Sequence, residues 1–142
     1  WFFLIQPADF PERMIANDTH RFIRQTIHSW CRTEGAFDEA ILRHYVEAFF
    51  DPRAIHATCE DYRAGATIDL VHDAESEAGG MKLTMPLLVL WGGRGIVGRT
   101  FDVLATWREK SSAEVTGHAL DCGHFLPEEA PDETLSALLA FL

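Results

Sequence analysis

The stretch "PLLVLWG", Pro86 to Gly92, constrains the fold more than any other. It is an unbroken apolar run closed by proline on one side and glycine on the other. No polar residue alternates through it, so neither face is meant for water. Such a run reads as a strand buried on both faces, the condition met in a parallel sheet. The segments downstream agree. "TFDVLATWREK" has helical spacing, and "EVTGHAL" is a second, weaker strand. "PDETLSALLAFL" is a capped amphipathic helix with Leu135, Leu138, Leu139 and Leu142 aligned. Strand, helix, strand, helix is the signature of an α/β fold. Two strands do not satisfy a parallel sheet, because each needs neighbours. The remaining strands are therefore expected upstream of Trp1, and the chain indeed opens on "WFFLIQP" without an initiator methionine.

The first half has a different period. "DTHRFIRQTIHSW" opens on Asp18 as N-cap and places Phe22, Ile23, Ile27 and Trp30 at helical spacing. "FDEAILRHYVEAFF" repeats the scheme with Ile41, Leu42, Tyr45, Val46 and Phe49. Asp51-Pro52 is a cap followed by proline at the first helical position, opening a helix with Ile55, Cys59 and Tyr62. A last short helix holds Ile68, Leu70 and Val71. "SEAGG", Ser76 to Gly80, reads as the linker. The expected division is a helical domain over 1–78 and an α/β portion over 79–142.

Composition narrows the partners. The 142 residues carry a formal net charge of −10, with Lys and Arg scattered singly. Nucleic acid and anionic membrane surfaces are poor matches for that balance. No apolar run is long enough to span a bilayer, and no stretch has the order of a signal peptide. Cys31, Cys59 and Cys122 are odd in number and lack CxxC spacing. A disulfide framework or zinc knuckle is not expected, and a reducing cytoplasm fits.

The candidate chemistry sits in "DCGHFLPEEAP", Asp121 to Pro131. His124 follows the second strand and precedes the last helix, at the carboxyl edge of the sheet, where open α/β sheets place their sites. Imidazole titrates near neutrality and suits a general base. Gly123 lets the turn be tight. A lone loop histidine is more often an ordinary polar residue, so the position needs support. Cys122 reads as strand-end packing. His20, His28, His44, His56 and His72 lack metal-ligand spacing and read as helix-face residues, with no metal expected. Glu60, Asp61 and Arg63 read as a structural ion-pair group. Trp30 reads as helical-domain core first and pocket rim second. "GGRG", Gly92 to Gly95, lacks the Walker lysine.

"GHFLPEEAPDETLSALLAFL" and "PLLVLWG" resemble the C-terminal end of α/β-hydrolases, whose catalytic histidine has a G-H-x-x-x-x-E-x-P context. "WFFLIQP" and "CEDYRAGA" resemble the cap domain of haloacetate (fluoroacetate) dehalogenases, which share these pieces with related epoxide hydrolases. The resemblance covers nearly the whole chain. It implies a helical cap followed by the last two strands and helices of an α/β-hydrolase core. It implies hydrolysis of small 2-haloacids, haloacetate giving glycolate and halide, through an aspartyl ester. His124 would be the base that directs water onto that ester. Trp1 and Tyr62 would donate hydrogen bonds to the departing halide. The family's third donor, a histidine, would precede residue 1. No metal or organic cofactor is implied. The implied partner is a small-molecule haloacid, with a homodimer as candidate assembly.

The family's nucleophilic aspartate and carboxylate-binding arginines have no counterpart here, since neither G-x-D-x-G nor G-x-S-x-G occurs in the chain. The resemblance places them upstream. After "PLLVLWG" no carboxylate appears until Asp102. That counts against enzymes that keep the triad acid at this late loop, which include most serine esterases. Two alternatives stay open. One is an epoxide hydrolase of the same fold, with Tyr62 protonating the epoxide oxygen. The other is a non-catalytic binding protein that keeps the fold.

Overall fold

The computed structural model describes residues 2–142. They form two compact units. One takes the described residues up to Ile27 together with Asp38–Gly80, and the other takes His28–Phe37 with Met81–Leu142.

The first unit is helical. It contains α1 (Phe10–Asn17), most of α2 (Thr19–Trp30), α3 (Glu39–Ala48), α4 (Pro52–Gly65) and α5 (Ile68–Ala78). Aspartates start three of these helices. Asp18 accepts from Arg21 N at 3.0 Å, Asp38 from Ile41 N at 2.8 Å and Asp51 from Arg53 N at 2.9 Å. Each satisfies a backbone donor that the helix cannot, which stabilises by about 1 kcal/mol. The apolar stripes of α1 and α4 meet in a core of Leu4, Ile15, Ile55 and Cys59, against which Phe3, Phe22, Phe49 and Tyr62 pack half-buried. α5 runs through Ser76 to Ala78, so the expected linker shrinks to the pair Gly79–Gly80. Gly80 has φ +63, which ends the helix where other residues would continue it.

One ion pair ties α1 to α4. The Arg63 guanidinium holds both oxygens of Glu12, at 2.7 and 3.1 Å, and also donates to the Gln6 carbonyl at 2.9 Å. Both side chains are mostly buried, at 15% and 12% exposure. Glu60 adds a second carboxylate at 2.5 Å. The Arg63 guanidinium holds the Glu12 carboxyl down to about 2.

The second unit contains β1 (Leu87–Gly92), α6 (Ile96–Thr100), α7 (Val103–Glu109), β2 (Val115–Leu120), α8 (Leu126–Glu129) and α9 (Pro131–Phe141). β1 and β2 run parallel, with Leu87 opposite Val115 and Gly92 opposite Leu120. Helices α6, α7 and α9 pack on the strands. The helix expected over 100–110 is present as α7 but starts later, at Val103, and the separate short helix α6 precedes it. Phe101 is extended, and Asp102 caps α7 by accepting from Ala105 N at 3.1 Å. Among the described residues β1 is paired by β2 alone, and Leu87 to Trp91 are half-buried instead of sealed on both faces. No described helix is long and apolar enough to cross a membrane.

Glu12 is depressed from an ordinary 4.5, so its contribution to stability is complete above that value and is lost as pH falls toward 2. Arg63→Met leaves Glu12 without its guanidinium and should cost about 1.5–3 kcal/mol at neutral pH. The gap between wild type and variant in urea denaturation should narrow below about pH 4. A gap that stays constant down to pH 2 would mean the pair is not ionic in its effect.

Candidate active site

Both strands end at the same edge, and the chain leaves β2 there into Asp121–Phe125. The turn is sewn to the end of β1. Gly93 N donates to Leu120 O at 2.8 Å and Arg94 N to Cys122 O at 3.0 Å. The Arg94 guanidinium reaches the carbonyls of Arg32 and Asp121 at 3.0 and 2.5 Å. The contact between strand end and turn is so close that a Cβ on Gly92 would lie 1.6 Å from Gly123 O. Gly123 is itself enclosed: a Cβ there would meet Trp30 O at 2.5 Å, Glu129 Oε1 at 2.7 Å and Arg32 N at 2.8 Å. Glycine at both positions is therefore a matter of space.

His124 is presented by this turn and is exposed. Its backbone N donates to Trp30 O at 3.2 Å. Its ring stands edge-on to the Trp30 ring, with centroids 4.9 Å apart and planes at 68°. Phe125 meets the imidazole from another side at 5.0 Å and 90°. Phe37 closes on Phe125 at 5.1 Å. Edge-to-face packing of this kind orders the rings at low cost and restricts the imidazole to a narrow range of poses. Trp30, read first as core, is 36% exposed and lies against the candidate base.

Glu129 is the glutamate of the G-H-x-x-x-x-E-x-P context, and folding gives it a role beneath the turn. Its carboxylate is buried, with 8% of the residue exposed. Oε2 accepts from Arg32 N at 2.7 Å and from Gly123 N at 2.8 Å, and Oε1 accepts from Phe125 N at 2.9 Å. Burial pushes the carboxyl pKa up, but the backbone donors of Phe125, Arg32 and Gly123 outweigh it and hold the group below its ordinary value. The available signal was its spacing. A glutamate in the short helix after the histidine turn can reach back to the turn's own N–H groups.

The other expected residues are placed as follows in the fold. Tyr62 is half-buried on α4 and belongs to the helical unit, packed on its core. Trp1 lies outside the described residues. Cys122 is fully buried, and burial pushes its thiol pKa up, so it is packing material and not a nucleophile. The helical-half histidines His20, His28, His44, His56 and His72 are all exposed. Folding does bring Glu12, His56 and Glu60 within 4.8 Å of one another, a grouping that linear spacing concealed. The Arg63 guanidinium already binds both carboxylates there, so the cluster is an ion-pair network in which a cation would meet positive charge.

No family model matches the chain. Similarity to individual proteins is clear. The chain is 36% identical to a fluoroacetate dehalogenase of Burkholderia sp., over 100% of this chain and 46% of that protein. It is 28% identical to a soluble epoxide hydrolase of Corynebacterium sp. (strain C12), over 94% of this chain and 45% of that protein. A crystal structure of a Nostoc sp. PCC 7120 protein, put forward as an α/β hydrolase, superposes with a TM-score of 0.92 at 50% identity. That match covers 99% of this chain and 47% of the other. The chain thus spans about half the length of the curated relatives it matches. Its helical region and parallel strand pair are part of an α/β-hydrolase fold, and the chain belongs with the α/β-hydrolases.

Gly123→Ala should be costly because each near neighbour is backbone or a fixed carboxylate. We expect a loss of about 1–3 kcal/mol or more from overpacking. It should be read as a lower urea midpoint together with a changed tryptophan emission spectrum, to which Trp30 contributes. An alanine variant of wild-type stability would show that the turn can open freely.

Proposed function

We propose that the chain is the histidine-bearing part of a haloacetate dehalogenase. One observation carries the reading most directly. His124 stands past the carboxyl ends of two parallel strands, ring to ring with Trp30, in a turn fixed by a buried carboxylate. General bases of open α/β sheets sit at that edge. The 36% identity to a fluoroacetate dehalogenase supports haloacid as substrate, and the 37% identity to a Pseudomonas aeruginosa protein put forward as an epoxide hydrolase supports the second reading below as well.

The proposed reaction has two steps. An aspartate carboxylate upstream of Trp1 attacks the halogen-bearing carbon of a haloacetate. A carbon–oxygen bond forms, the carbon–halogen bond breaks, and halide leaves with the bonding pair. Tyr62 and Trp1 donate hydrogen bonds to that halide. Neutral donors in a dry site replace the hydration that fluoride demands. His124 then takes a proton from water as the oxygen attacks the ester carbonyl. It returns that proton to the departing alkoxide oxygen of glycolate as the acyl carbon–oxygen bond breaks, leaving the aspartic acid to lose one proton to solvent. Water is the only co-reactant.

A full reading frame that carries this chain provides the test. His124→Ala should still release one equivalent of halide and then stop, with the aspartyl ester accumulating. Mass spectrometry of the protein after incubation with fluoroacetate or bromoacetate reads the adduct. Normal turnover by the variant would remove His124 from the mechanism.

The second reading, an epoxide hydrolase, draws on the epoxide hydrolase relative. Tyr62→Phe separates the two readings. One lost donor to a developing anion costs on the order of 3 kcal/mol, roughly a hundredfold in rate. Fluoride needs that donor more than bromide does. Fluoroacetate turnover should therefore fall much further than bromoacetate turnover. Equal losses would make Tyr62 a general contact. A protein inert to haloacids, whose epoxide hydrolysis Tyr62→Phe abolishes, would establish the second reading.

A further inference from the structure

Glu129 does more than fill a hole beneath the turn. Its oxygens bind the N–H groups of Gly123 and Phe125, the residues on either side of His124. The same carboxylate binds Arg32 N, two residues after Trp30. His124 N meanwhile binds Trp30 O. These contacts close a loop of hydrogen bonds: from the histidine to the tryptophan segment, from that segment to Glu129, and from Glu129 back to the histidine turn. The two aromatic partners at 4.9 Å are thereby held from both backbones.

We propose that Glu129 is a positioning residue for His124. It acts by pinning the backbone on both sides of the histidine and by tying that turn to the segment that carries Trp30. The proposal rests on the reading of His124 as the base of the second half-reaction. The chemistry of the carboxylate explains why this residue type is used. Only an ionised carboxylate offers acceptor capacity on both oxygens for three converging donors. An amide of the same shape turns a donor toward one of them. A shift of about 1 Å in a base is enough to cost on the order of a hundredfold in rate.

The role is step-specific, which separates it from ordinary structural support. Attack by the upstream aspartate requires no base, whereas ester hydrolysis does. In the full reading frame, Glu129→Gln should form the ester at a rate within about twofold of wild type. It should hydrolyse that ester roughly ten- to a hundredfold more slowly. Rapid-quench mass spectrometry on bromoacetate measures both steps. The amount of ester formed counts the folded molecules, so the hydrolysis rate per ester is independent of how much of the sample folds. If Glu129→Gln yields no folded protein, Glu129→Asp, which keeps the charge and shortens the reach, is measured in the same way. Equal slowing of both steps, or wild-type ester hydrolysis, overturns the proposal. His124→Ala run in parallel distinguishes the two failures. If it accumulates ester while Glu129→Gln does not, the positioning role falls and the base stands. If it turns over normally, the base assignment falls first.

Discussion

The Glu129 carboxylate gathers three backbone N–H groups from two pieces of chain, one of them 97 positions away in sequence. The candidate site depends on that convergence. Without it, the turn after β2 would have unpaired donors beside Gly123, in a space too tight for a replacement side chain. Burial opposes the charge, and the donors outweigh the burial. The result is a turn with its backbone donors satisfied on both sides of His124.

The helical unit uses the same device on a larger scale. Arg63 joins α4 to Glu12 on α1 and to the carbonyl of Gln6. In both units a charged group with several partners fixes the direction in which apolar packing then proceeds. Leu4, Ile15, Ile55 and Cys59 form the apolar core of the unit that holds the Arg63 pair. Leu120, Cys122 and Ala130 do the same in the unit that holds Glu129. Apolar contact supplies most of the driving force but has little directional preference, whereas the charged groups set register.

The two units differ in what they present. The strand pair provides a fixed edge, and the turn beyond it holds one imidazole between aromatic rings. Tyr62 stands on a separate helical unit with its own core.

Sequence by itself determined the local features. The apolar run bounded by Pro86 and Gly92 became β1, the capping aspartates Asp18 and Asp51 start their helices, and His124 falls in the turn after β2. These arise from propensities that act over a few residues, so neighbours in sequence suffice to read them. Tertiary structure decided the rest. It placed the ring of Trp30 edge-on to that of His124 and left Trp30 exposed. It turned Glu129 from one of two adjacent glutamates into a buried acceptor, brought Glu12 to Arg63, and made the helix expected over 100–110 start only after Asp102. The first three depend on backbone groups or charges far apart in the chain meeting at hydrogen-bond distance. The last depends on a side chain whose cap bond outcompetes one more turn of helix. No periodicity records such meetings, because the energy that selects them exists only once both partners have left water together.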